Sequence, residues 1–209
     1  MFPVLDQQLT ALLRALAPAD WQRPTLARQW TVKDVAAHLL GGNLRTLSKL
    51  RDGHFDDATD DPSYAGVVGF LNRLNADWVR AARRLSPAVL IELLAQLGAE
   101  YTAFLHTLDP WAPAAFAVGW AGESESQNWF HIARDYTEKW HHQQQICEAV
   151  GDTAELLTPQ LFRLFLETVL RGLLHALRAV AAPAGTVLQL SIETSAGGVG
   201  QLEQVAEAW

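Results

Sequence analysis

Apolar residues recur at helical spacing along most of this chain. Leu5, Leu9, Leu12, Leu13 and Leu16 fall at i, i+4, i+7 and i+8, the stripe of a first amphipathic helix ending near Pro18. After a breaker-rich connection, Thr31 stands where it can cap a second helix, and Asp34 can complete a variant capping box. Leu71, Leu74, Trp78, Ala81 and Leu85 mark a third helix, preceded by a polar loop from Asp52 to Gly66 that carries Asp52, Asp56, Asp57, Asp60 and Asp61. Those carboxylates lack the calcium-loop order. Ser86-Pro87 then supplies a cap and an N1 proline for a fourth helix through Leu90, Leu94, Leu97, Tyr101 and Leu108. Asp109 to Ser126 has no helical pattern and holds Trp111, Phe116 and Trp120, so it reads either as a cover for a site or as a loop packed down by its tryptophans. A fifth helix runs from about Ser126 to Val150, closed by Gly151, and a sixth from Leu161 to Ala182. The sixth is interrupted by Arg163, Glu167, Arg171, His175 and Arg178 along one stripe, so it packs on a core and does not span a membrane. Past Pro183 the pattern alternates, with a strand over Thr186–Ile192, a turn from Ser195 to Gly200 and a second strand through Val205. The expected division is a helical domain over 1–182 and a strand or hairpin appendage over 183–209.

Composition narrows the function classes. The 209 residues, 49% of them hydrophobic, can bury a substantial core. A net charge of -7 offers no basic excess for phosphates, so nucleic acid is not an expected partner. The single Cys147 can form neither an internal disulfide nor a cysteine-rich metal site, and it lies on an apolar stripe as a core thiol. Met1 to Gln8 has no basic start and turns polar early, so no secretion signal is expected and the cytoplasm is the natural compartment.

One pair of residues carries candidate chemistry. Glu138 and His142 are four apart, so on one helix they leave the same face and can share an ion; His38, in the second helix, can add a third ligand. Two imidazoles and one carboxylate leave coordination positions for water or substrate, as catalytic zinc sites do. The competing reading is a solvated face. Trp129, Ala133, Tyr136, Trp140 and Cys147 form the apolar stripe of that helix, which puts Glu138 roughly opposite. The ligand reading requires a wet cleft there. Gly42, four residues after His38, would leave room beside an ion, while a helix break or close helix packing explains Gly41-Gly42 equally well.

Asp20-Trp21-Gln22-Arg23-Pro24-Thr25, followed by Trp30-Thr31-Val32-Lys33-Asp34-Val35-Ala36-Ala37-His38-Leu39-Leu40, resembles the N-terminal signature of the mycothiol-dependent maleylpyruvate isomerase family within the DinB-like superfamily. Glu138-Lys139-Trp140-His141-His142-Gln143-Gln144-Gln145-Ile146 resembles its second signature, in which a carboxylate precedes a ligand histidine by four residues. The resemblance covers about residues 1–182. It implies a mainly α chain, a DinB-like four-helix bundle with a short C-terminal β-hairpin or partial α+β appendage, and a divalent metal on His38, Glu138 and His142. Where family members commonly carry an acidic residue three positions after the last ligand, this chain has Gln145.

The implied activity is that of a transferase or isomerase using a low-molecular-weight thiol, mycothiol- or bacillithiol-like, on a small electrophilic substrate. The ion lowers the thiol pKa, and the protein supplies ligands and no nucleophile. Zinc suits the donors, as do nickel, iron and manganese. The alternative is a non-catalytic, metal-binding or stress-associated bundle, and homodimerisation is compatible with either. His141 gives Glu138 an i, i+3 partner, the spacing of di-iron bundles, but the sequence has no second copy. His131, Asp135, His141 and Gln145 are candidates for groups around the ligands, with surface placement the competing reading for His131 and Asp135.

Overall fold

The first helix, α1 (Phe2–Ala15), begins on a proline at its first turn and buries Phe2, Leu5, Leu9 and Leu13. In the computed structural model, residues 1–55, 58–152, 155–194 and 196–203 are described. Helix α2 (Val32–Thr46) starts at the anticipated capping box: the Asp34 amide donates to Thr31 Oγ1, and the Thr31 amide donates to Asp34 Oδ2. It does not stop at Thr46. The chain passes into a π-turn over Leu47–Arg51, where the Asp52 amide reaches back to the Leu47 carbonyl at 3.0 Å.

Helix α3 (Tyr64–Ala82) starts earlier than its apolar stripe suggests, because Ser63 caps it by accepting from the Gly66 amide. Tyr64 to Gly66 are therefore helical rather than loop, and Leu85 lies beyond the helix; Asp56 and Asp57 fall outside the described residues. Ser86 and Pro87 open α4 (Pro87–Leu105) as expected, with Ser86 Oγ accepting from the Val89 amide. Among the described residues, α4 is the one helix long and apolar enough to cross a membrane by length and composition. Its Leu90, Ile91 and Leu94 are buried in the core beside Leu13, Val35 and Leu40, which is the placement of a core helix.

Helix α5 (Asn128–Val150) begins two residues later than Ser126, whose hydroxyl instead accepts from the Val118 amide and donates to the Glu123 carboxylate. Gly151, at φ 82°, closes it in the left-handed conformation that side chains disfavour. Helix α6 (Pro159–Leu177) ends before Ala182. The strands β1 (Val187–Ile192) and β2 (Gly198–Glu203) pair antiparallel, from Val187 opposite Glu203 to Ile192 opposite Gly198. Gly198 and Gly200 are thus strand residues and not turn, because the register reaches them; Ser195 and Val205 fall outside the described residues.

The chain forms two compact units. The first comprises Met1–Leu108 and Lys139–Thr153, a mainly helical body in which α1 and α3 each neighbour a helix of the α2–α4 pair. Its core gathers Leu9, Trp21, Val32, Leu40, Leu90, Leu94 and Ile146. Two long-range polar ties hold α5 to α1 there: Lys139 Nζ meets Asp6 Oδ1 at 2.9 Å, and the Gln143 amide bridges the Leu5 carbonyl and the Leu9 amide, each at 3.1 Å. The second unit comprises Asp109–Glu138 and Ala154–Trp209. In it Trp120 packs edge-on against Phe130 and over Gly172 of α6, while Trp111 is 69% exposed. Of the two roles open to the 109–126 loop, packing by a tryptophan is met by Trp120.

Candidate metal centre

His38 lies two turns into α2, and the residues around it explain why its ring is fixed. Val35, Ala36, Leu39 and Leu40 are all at or below 5% exposure, so this stretch is dry on nearly every side. His38 itself is 5% exposed. The helix start is anchored by more than its cap. Arg83 grips the Asp34 carboxylate with Nε and Nη2, both at 2.9 Å, a bidentate pair joining α2 to the end of α3. Burial pushes the Asp34 pKa up, but hydrogen bonds from Arg83 and Thr31 outweigh it and hold the carboxyl below its ordinary value.

His142 belongs to the same unit as His38, and the two rings meet edge to face with centroids 4.5 Å apart. Glu138 stands one turn earlier on the continuous helix α5, so the helix itself fixes its relation to His142. One donor atom from each of His38, Glu138 and His142 lies within 4.8 Å of the other two. Glu138 is exposed and His142 half-buried, so the polar arc opposite the aromatic stripe is indeed wet.

Gln145 lies against the histidine pair. Its Oε1 is 2.9 Å from His142 Nδ1, a separation at which that nitrogen and the amide share a hydrogen bond. The same amide's nitrogen donates to His141 Nε2 at 3.0 Å, which accounts for His141 without placing it among the three donors. Trp30 completes the surroundings, its ring 4.9 Å from His38 and 6.3 Å from His142. The short extended segment ahead of α2 holds that indole: Thr25 donates twice to the Trp30 carbonyl, and Pro24 pairs with Thr31. Trp30 precedes the helix and follows no periodic stripe, so only its place in the first signature singles it out.

The two glycines of α2 do different work. A Cβ on Gly41 would stand 2.5 Å from Trp78 Cδ1, and the Trp78 indole donates to the Ala37 carbonyl at 2.7 Å, so close helix packing explains that position. A Cβ on Gly42 would meet nothing within 4 Å. His131 and Asp135 lie farther back on α5. Seven residues separate His131 from Glu138, roughly 10 Å along the axis, so its ring does not touch the donor set. It is 3% exposed, 3.9 Å from Asp135, and its pKa is lowered by burial, opposed by the Asp135 charge and assisted by that of Arg134. Asp135 also pairs with Arg134. Cys147 is buried, as its stripe position suggested.

A sequence model of the mycothiol maleylpyruvate isomerase N-terminal domain matches residues 2–147. The chain belongs to that family. The matched span runs from α1 to Cys147 in α5 and contains all three donors of the isomerase-family cluster; α6 and the hairpin lie beyond it. No curated protein and no solved structure matches the chain.

The donor set of this family member suits one divalent ion. In a tetrahedral shell, ligands bonded at about 2.0–2.2 Å stand about 3.3–3.6 Å apart, so donors now within 4.8 Å of one another would close each separation by up to about 1.5 Å. Three protein donors with an exposed side leave room for an external ligand.

Proposed function

We propose that the protein is a metal-dependent transferase or isomerase that takes a low-molecular-weight thiol and a small electrophilic substrate. The observation that carries this reading is the gathering of one donor atom each from His38, Glu138 and His142 within 4.8 Å in a chain of the mycothiol maleylpyruvate isomerase N-terminal domain family. A divalent ion, zinc being the best fit to two imidazoles and a carboxylate, supplies stabilisation of a thiolate at neutral pH.

The chain's own residues divide the remaining tasks. His38 presents a ligand nitrogen from a buried stretch of α2, and Glu138 and His142 present theirs from the wet face of α5. A proton on His142 Nδ1, donated to Gln145 Oε1, would leave Nε2 to bind the ion. Trp30 gives the site an apolar wall against both imidazoles. Gly42 keeps the space beside its own backbone open. Cys147 is buried and takes no part as nucleophile.

The test is a thiol-transfer and cis–trans isomerisation assay with panels of thiols and electrophiles, run on protein stripped of metal and reloaded with zinc, nickel, iron or manganese. Metal-dependent turnover that disappears in Glu138→Gln supports the reading. Stoichiometric metal binding without turnover in any preparation replaces it with a non-catalytic metal-binding bundle.

A further inference from the structure

Helix α5 is held to α1 and α4 by a polar junction that lies wholly within the first unit. Lys139 is 9% exposed, and its Nζ donates to Asp6 Oδ1 at 2.9 Å. The same ammonium stands 4.5 Å from the centre of the Tyr101 ring and 5.6 Å from that of Phe2, and those two rings meet edge to face. Gly98 of α4 makes the carboxylate fit: a Cβ there would lie 2.8 Å from Asp6 Oδ2. One turn after Lys139, the Gln143 amide spans the Leu5 carbonyl and the Leu9 amide of α1.

Stability alone explains this junction poorly. A largely buried ion pair gains little over apolar side chains of the same volume, because both charges leave water. Asp6 Oδ2 adds to that cost, being buried with no hydrogen-bond partner among the described residues. What such a pair does supply is direction. Apolar contacts are non-directional and let a helix turn about its axis, whereas a hydrogen-bonded pair fixes where its residue points. Lys139 and Gln143 follow the candidate donors Glu138 and His142 by one residue each, so the tied stripe of α5 lies about 100° around the helix from the donor stripe. At a side-chain radius of about 5–6 Å, a turn of about 20° would carry the His142 ring through about 2 Å, the length of a metal–ligand bond.

We propose that Lys139, with Asp6 and Gln143, is a positioning residue of the metal centre: the tie to α1 sets the rotation of α5 and so holds the His142 ring against that of His38. Its purpose rests on the metal reading above, while the positioning itself belongs to the metal-free protein, in which the two imidazole centroids stand 4.5 Å apart. The ammonium is engaged by Asp6, so Lys139 acts through the helix and not as a ligand.

Cobalt titration, proton NMR of the metal-free imidazoles and urea unfolding, run on the full-length wild type and on Asp6→Leu/Lys139→Met, test it. Removing both charges together leaves neither buried alone, so the double variant should unfold at the wild-type urea concentration or above. Cobalt affinity should nevertheless fall about tenfold or more, with changed visible bands of the bound ion, and the His142 ring protons should shift before any metal is added. Gly98→Ala disturbs Asp6 from α4 without altering either charge, and serves if the double variant loses its fold. It should shift the same ring protons and weaken cobalt binding in the same direction. Unmoved ring protons in a folded variant, or wild-type cobalt affinity and bands, overturn the proposal and leave the junction a matter of stability alone. Failure of the wild type to take up cobalt defeats the metal reading instead, and the ring-proton comparison still decides the positioning.

Discussion

On α2, His38 is 5% exposed and its helix neighbours Val35, Ala36 and Leu40 are fully buried; on α5, Glu138 is exposed and His142 half-buried. Both helices bring donors to one cluster, yet they do so under opposite constraints. A buried imidazole is part of the packing, so α2 cannot change that residue without disturbing the fold. A carboxylate on a wet face contributes little to packing, so burial does not account for its presence there. The α5 pair therefore reports on function more directly than the α2 histidine, although the apolar pattern alone made it look less significant.

The contrast can be broken most directly by exchanging side chains on the two helices and measuring the metal-free protein. His38→Ala should lower unfolding free energy by about 2–3 kcal/mol through the cavity it leaves, whereas Glu138→Gln should change it by less than about 0.5 kcal/mol. Both should abolish stoichiometric metal uptake. Equal stability losses in urea unfolding would erase the distinction between the two helices.

A finer form of the same contrast lies within α2. Gly41→Ala drives a methyl into Trp78 and should cost about 1–3 kcal/mol, while Gly42→Ala enters open space and should gain up to about 1 kcal/mol from helix propensity. If both alanines act alike, the two faces of α2 are not differently packed.

Next in size is the anchor at the start of α2. Asp34→Asn weakens the capping box and the bidentate grip of Arg83, and should cost about 1–2 kcal/mol, toward the low end because Arg83 is open to solvent. The sign with pH follows from the lowered folded pKa: the contribution is complete above the ordinary carboxylate range and disappears as pH falls through the folded value. Wild type should therefore lose stability in strong acid over a range where Asp34→Asn is flatter.

The smallest effect is expected at His131, which is buried although it belongs to α5. Its lowered folded pKa makes its contribution complete above about pH 6.5 and progressively lost as pH falls toward the folded value. Chemical unfolding between pH 7 and 5 should show a downward slope in wild type that His131→Phe removes. A slope that persists would assign the titration to another group.

Much of this was legible in local sequence. Caps at Thr31, Ser63 and Ser86 work through atoms three residues away, and two of them, with the capping box of Thr31 and Asp34, can be read from the chain directly. The ties that position the helices cannot. Arg83 reaches Asp34 across 49 residues and Lys139 reaches Asp6 across 133, and no periodicity marks either pair. The π-turn after Thr46 was also hidden, since Leu47 to Arg51 continue a helical pattern while the hydrogen bonds change register. The candidate site was legible in its three residue identities and ambiguous in its exposure, because a hydrophobic wheel separates apolar from polar faces without saying whether a polar face overlooks bulk water or a neighbouring histidine.

X-ray absorption at the zinc edge of the zinc-loaded protein tests the central claim most directly. One zinc per chain is expected, in a shell of nitrogen and oxygen at about 2.0–2.2 Å with the scattering of two imidazoles, lost together with stoichiometric binding in His142→Ala. A sulfur shell near about 2.3 Å, a single imidazole, or an unchanged spectrum in His142→Ala would contradict the assignment of His38, Glu138 and His142 as one metal centre.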